Sequence, residues 1–184
     1  IIGMSDTFDL TAFIDNTSYP RKKVTVYTNV AALKEVQDLE TSLQGIDPNT
    51  REPYKLDQTP DQLLATQQRI EELRPAVEAS GLTFELQGMP FRMAQDVADI
   101  FNEEEPATEE EILTLVRTSI QSVENAEGAK SSVPTKEVLE LLQLRLSPAE
   151  FSKLINATVE VNFTAASYEA NIDAGFPVGG SDVA

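Results

Sequence analysis

Between residues 135 and 163 the apolar positions fall three and four apart on both sides of a single sharp break. Ahead of it stand Val138, Leu139, Leu141, Leu142 and Leu146; behind it stand Phe151, Leu154, Ile155, Thr158, Val159 and Val161. Both runs carry the period of an amphipathic helix. The break is Ser147-Pro148-Ala149-Glu150: a serine suited to cap a helix, a proline at the first helical position where its missing N–H costs nothing, and a glutamate three residues after the cap to complete a capping box. Two stripes joined by so short a corner predict an antiparallel helical hairpin, each buried side chain contributing about 1.5–3 kcal/mol.

Residues 8–27 read as two β-leaning runs around the turn-forming Asp15-Asn16-Thr17-Ser18. Val24-Thr25-Val26-Tyr27 alternates as a half-buried strand does, and a β-hairpin is predicted. Arg21-Lys22-Lys23, the one basic cluster, suits an edge strand that must discourage edge-to-edge pairing. Thr28 or Asn29 then caps a helix through about Leu43, with Val30, Leu33, Val36 and Leu39 on one face and Gly45 ending it. Residues 46–58 form a loop. Thr59-Pro60 opens another helix, carrying Leu63, Leu64, Ile70, Leu73 and Val77, which Pro75 is expected to kink or break near Leu73.

After Gly81, Leu82-Thr83-Phe84-Glu85-Leu86 alternates as a strand able to join the hairpin. A short helix from Pro90 turns Val97, Ile100 and Phe101 inward. Thr108 and Glu111 form a second capping box, opening a helix that carries Ile112, Leu115, Val116, Ser119, Ile120 and Val123. Residues 125–133 read as a polar loop and 164–184 as a flexible C-terminal tail. The predicted fold class is α+β, predominantly α-helical: a small antiparallel β-sheet near the N-terminus followed by a helical bundle. It forms one globular domain over 4–163, with the loop at 46–58 or Gly81 as the place for any internal boundary. Ile1-Ile2-Gly3 ahead of Met4 reads as a cloning remnant.

Charge and composition narrow the function classes. Fourteen basic residues against 31 acidic ones leave a formal charge of −17, which repels nucleic-acid phosphates and anionic membrane surfaces alike. No run approaches the roughly 18 apolar residues of a membrane span. The absence of cysteine suits a reducing compartment, so a soluble protein of the cytoplasm is expected. With no histidine and no cysteine, serine and cysteine triads and any imidazole or thiolate metal site are excluded. No phosphate loop, dinucleotide fingerprint or EF-hand loop is present. The paired acids that remain, Asp96 with Asp99 and Glu137 with Glu140, fall on predicted wet faces, so neither catalysis nor a cofactor is expected.

Phe84-Glu85-Leu86-Gln87-Gly88-Met89-Pro90, the helix and polar loop after it, and residues 135–162 together resemble the tail assembly chaperones of long-tailed, siphovirus-type bacteriophages, especially those infecting actinobacteria. In that family a leucine–serine corner is followed by an acidic–aromatic pair, a leucine three residues later, and a helix ending in Val-Asn. Here these are Leu146-Ser147, Glu150-Phe151, Leu154 and Val161-Asn162, with Phe151 where the family commonly has tryptophan.

The resemblance implies a non-catalytic protein of the host cytoplasm that binds the tape measure protein, helps tail tube protein gather around it, and is absent from the mature virion. It also implies an extended form made by ribosomal frameshifting, with Gly179-Gly180 as the slip region. The expected partner-binding side chains are Phe91, Met93, Val97 and Phe101, because Met and Phe adapt to varied apolar surfaces, together with Phe163, Tyr168 and Phe176 near or in the tail. A structural tail accessory protein, or an acidic mimic of DNA, are the alternatives.

Overall fold

The computed structural model describes residues 9–89 and 106–163. The expected partner-binding residues Phe91, Met93, Val97, Phe101, Tyr168 and Phe176, the side chain of Phe163, the acids Asp96 and Asp99, and the predicted helix after Pro90 lie outside the described residues.

Six helices and a four-stranded antiparallel sheet make up the described fold, which is α+β and mainly helical. The helices are α1 (Leu10–Asp15), α2 (Val30–Leu43), α3 (Pro60–Ala79), α4 (Glu109–Ser119), α5 (Lys136–Arg145) and α6 (Pro148–Phe163). The strands are β1 (Arg21–Tyr27), β2 (Gly81–Gln87), β3 (Ile120–Asn125) and β4 (Lys130–Ser131), lying side by side in chain order. The sheet is therefore spread through the chain, not set near the N-terminus ahead of a bundle.

Residues 9–27 do not form the expected hairpin. Asp9 Oδ1 accepts the N–H groups of Thr11 and Ala12 and starts α1. Thr17, from the stretch read as a turn, closes that helix by donating its N–H to the Ile14 carbonyl. The spacing of Leu10 and Ile14 satisfies a helix as well as a strand, and the local cap decides. Strand β1 pairs instead with β2, from Arg21 opposite Gln87 to Tyr27 opposite Gly81.

Between β1 and β2 the chain makes an arm of two helices that pack on each other. Asn29 caps α2 by accepting the Ala32 N–H, and Thr59 with Gln62 forms a full capping box on α3. Pro75 does not break α3, which continues to Ala79. Its ring removes a single backbone donor, and Pro75 sits on the exposed side of the helix.

The helix opened by the Thr108–Glu111 box ends at Ser119, short of the expected Val123. Ile120 and Val123 enter β3 opposite Leu86 and Phe84, across a register shift between Glu85 and Leu86. Their spacing suits either structure, and the free edge of β2 supplies the partner that favours the strand. The polar loop at 125–133 is a tight turn: Gly128 takes φ +85 and β4 returns alongside β3.

One sheet face carries Val26, Phe84, Leu86, Ile120 and Val123, all buried. Helix α6 lies across β1 and β2 on that face with Phe151, Leu154, Ala157 and Val161 turned inward, and α4 packs against both α5 and α6. The expected hairpin of α5 against α6 is not the arrangement. The two helices turn at Leu146 and share the core through Leu139 and Leu154, both fully buried, while α6 spends its apolar stripe on the sheet.

Candidate functional site

Helix α5 buries one side and shows another. Leu139 is 0% exposed and Leu146 is 7%, whereas Val138 is 53% and Leu141 52%. All four belong to the stripe that periodicity assigns to the core. On a helix, positions 138, 141, 142 and 145 make one face and 139, 142 and 146 the next. Only the second of these faces points into the protein.

The first face forms the wall of a groove of about 440 Å³. Its floor is lined by Leu82, Phe84 and Val123 of the sheet's apolar face, Leu82 partly exposed and Phe84 and Val123 buried beneath. Ser131 to Thr135 close one end, and Arg145 stands in the lining from the last turn of α5. The stretch after β4 shapes this end because Pro134 cannot extend the strand pairing and Thr135 begins a helix, its Oγ1 accepting the Val138 N–H. The groove is open and mostly apolar, and among the described residues its polar side chains are Ser131, Ser132, Thr135 and Arg145.

A second hollow, between α4 and α5, is of the opposite character. Glu109, Glu110, Lys136, Glu140 and Gln143 surround it. Lys136 Nζ pairs with Glu110 Oε1 across the two helices. Its hydrogen bond holds the Glu110 carboxyl below the ordinary carboxylate value, and Glu110 in turn raises the Lys136 ammonium above the usual lysine value. Glu137 is also lowered, first by a backbone hydrogen bond at the α5 N-terminus and then by Thr135. Glu137 and Glu140, the acids paired by sequence, are both exposed. Among the described residues no group of carboxylates is placed to hold a metal ion, and no helix is long and apolar enough to cross a membrane.

Of the residues the sequence nominated for partner binding, none is among the described side chains, and the described residues that line the groove are others. Sequence reasoning passed over Val138 and Leu141 because periodicity marks which residues share a helix face and not which faces find a partner. The surplus of apolar faces on α5, two where its neighbours can cover one, is the signal that points to them. Set against protein-family models, curated proteins and solved structures, the chain matches no family model, no curated protein and no solved structure.

Proposed function

We propose that the protein is a non-catalytic tail assembly chaperone of a long-tailed bacteriophage. In this reading it holds an amphipathic helical segment of the tape measure protein in the groove beside α5. It keeps that partner soluble in the host cytoplasm while tail tube subunits gather, and it is left out of the finished virion.

The observation that carries the proposal is the exposure of Val138 and Leu141 over an apolar floor. A helix laid against Val138, Leu141 and the partly exposed Leu82 would bury the apolar lining that the fold leaves open, which is how a groove reads an apolar helical stripe. The Leu146-Ser147 corner and the Val161-Asn162 helix end add the family resemblance. The net charge of −17 suits a protein that must keep an aggregation-prone partner in solution.

The test is co-expression with the tape measure protein encoded in the same genome, followed by size-exclusion chromatography with light scattering at low and high salt. A soluble complex that survives high salt and is lost with Leu141→Asp is the expected result. An insoluble partner beside a freely eluting chaperone, or the protein's recovery in purified particles, would overturn the proposal.

A further inference from the structure

The groove's charge is out of keeping with the chain's. The sequence holds 31 acidic residues and 14 basic ones. Yet the described residues that line the groove include no carboxylate and a single cation, Arg145. Arg145 shares a helix face with Val138, Leu141 and Leu142, which places it at the end of the apolar wall. Among the described residues no carboxylate lies within ion-pair distance of its guanidinium. A guanidinium keeps its charge across the working pH range and offers a planar fork that matches a carboxylate.

Resting on the reading of the groove as a helix-binding site, we propose that its occupant is an amphipathic helix whose apolar stripe ends in an Asp or Glu side chain, bound by Arg145. The apolar wall takes the stripe, and the guanidinium fixes where the stripe stops. A chain of net charge −17 disfavours acidic partners along most of its surface. A carboxylate is welcome here because an unpaired cation meets it, so the pair sets register and direction as well as affinity. From Val138 to Arg145 the wall runs about 10 Å at roughly 1.5 Å per residue, so about two turns of the partner lie against it.

Three amphipathic peptides of about 15 residues, long enough to hold helix when bound, test this. They are identical except that the residue closing the apolar stripe is Glu, Gln or Lys, and each is titrated into the full chain by fluorescence anisotropy. The Glu peptide is expected to bind about three- to five-fold more tightly than the Gln peptide, the range of a partly exposed ion pair, with the Lys peptide weakest. Arg145→Gln should erase the difference, and Arg145→Glu should invert it.

Equal binding of all three peptides, abolished by Leu141→Asp, overturns the role of Arg145 while the groove reading stands. Failure of every peptide to bind, or binding that Leu141→Asp leaves intact, overturns both. Should Arg145→Gln lower the melting temperature and leave the peptide preference unchanged, Arg145 serves the C-terminal dipole of α5 and the proposal falls.

Discussion

Glu150 Oε2 accepts the backbone N–H of Tyr27 at 3.0 Å, tying the first turn of α6 to the last residue of β1. Its other oxygen takes Lys153 Nζ at 2.7 Å, and Lys153 lies 5.3 Å from the centre of the Tyr27 ring. The backbone hydrogen bonds Gly88 N–H to Pro20 and Thr28 N–H to Ser80 bracket the β1–β2 ladder, so the Tyr27 amide between them points outward, away from β2. Glu150 therefore closes one end of the sheet's free edge with a carboxylate whose side chain is 3% exposed. Glu150→Ala should leave the Tyr27 amide without that partner and cost about 1–3 kcal/mol, with Glu150→Gln costing less because it keeps an acceptor. In urea denaturation the midpoint should fall with an unchanged slope; an unchanged midpoint would refute the role.

Gly88 meets α6 more closely than any side chain allows. A Cβ there would lie 2.5 Å from the Val161 carbonyl oxygen and 3.3 Å from Pro20 Cδ. Just beyond, Asn162 Oδ1 accepts the Met89 N–H at 2.9 Å, while its amide donates to Ser119 Oγ and the Thr158 carbonyl. Gly88→Ala should push β2 away from the end of α6 and lose about 1–3 kcal/mol. Thermal unfolding should show the loss, and a wild-type melting temperature would mean that the strand and helix are not so close in solution.

The openness of the groove is testable without any partner. Leu141→Ser should change stability by less than about 0.5 kcal/mol, as exposed positions do. Leu139→Ala, two residues earlier and fully buried, should cost about 2–5 kcal/mol. Comparable losses at both positions would show that α5 turns the Val138–Leu141 face inward as well.

The Lys136–Glu110 pair links α5 to α4 in a pH-dependent way. Glu110 is depressed in the folded protein, so its contribution is present above the unfolded carboxylate value and is lost as pH falls through the folded one. Lys136 is raised, so its share is full below the unfolded lysine value and fades as pH rises through the folded one. Both groups are solvent-exposed and the effect on stability is small. Carboxyl NMR should find the Glu110 midpoint moving upward in Lys136→Met; a midpoint indifferent to that change would exclude the pairing.

What could be read from the sequence follows what each signal depends on. The caps at Asn29, Thr59 and Thr108 are local hydrogen bonds between residues three apart, and all three start helices where they were expected. Ser147 also caps, its Oγ accepting the Glu150 N–H, but the Glu150 carboxylate leaves the expected box for Tyr27 and Lys153. That choice depends on a strand 123 residues away in sequence, which no local rule contains. Ile120 and Val123 fail for the same reason, since the neighbouring strand that recruits them lies outside their own window. The groove was legible only as an excess of apolar positions on α5; which of them stay exposed is set by where α6 and the sheet lie.

The arm of α2 and α3 changes how the sheet can assemble. Strands β1 and β2 are far apart along the chain, and closing a loop of that length costs entropy before any pairing repays it. Two capped helices that close on each other shorten the search, because folding them brings Thr28 and Ser80 within hydrogen-bonding distance and starts the ladder at Tyr27 and Gly81. The sheet is then expected to zip from the arm outward toward Arg21 and Gln87. Loss of the Thr59 cap on α3 would slow folding more than it speeds unfolding.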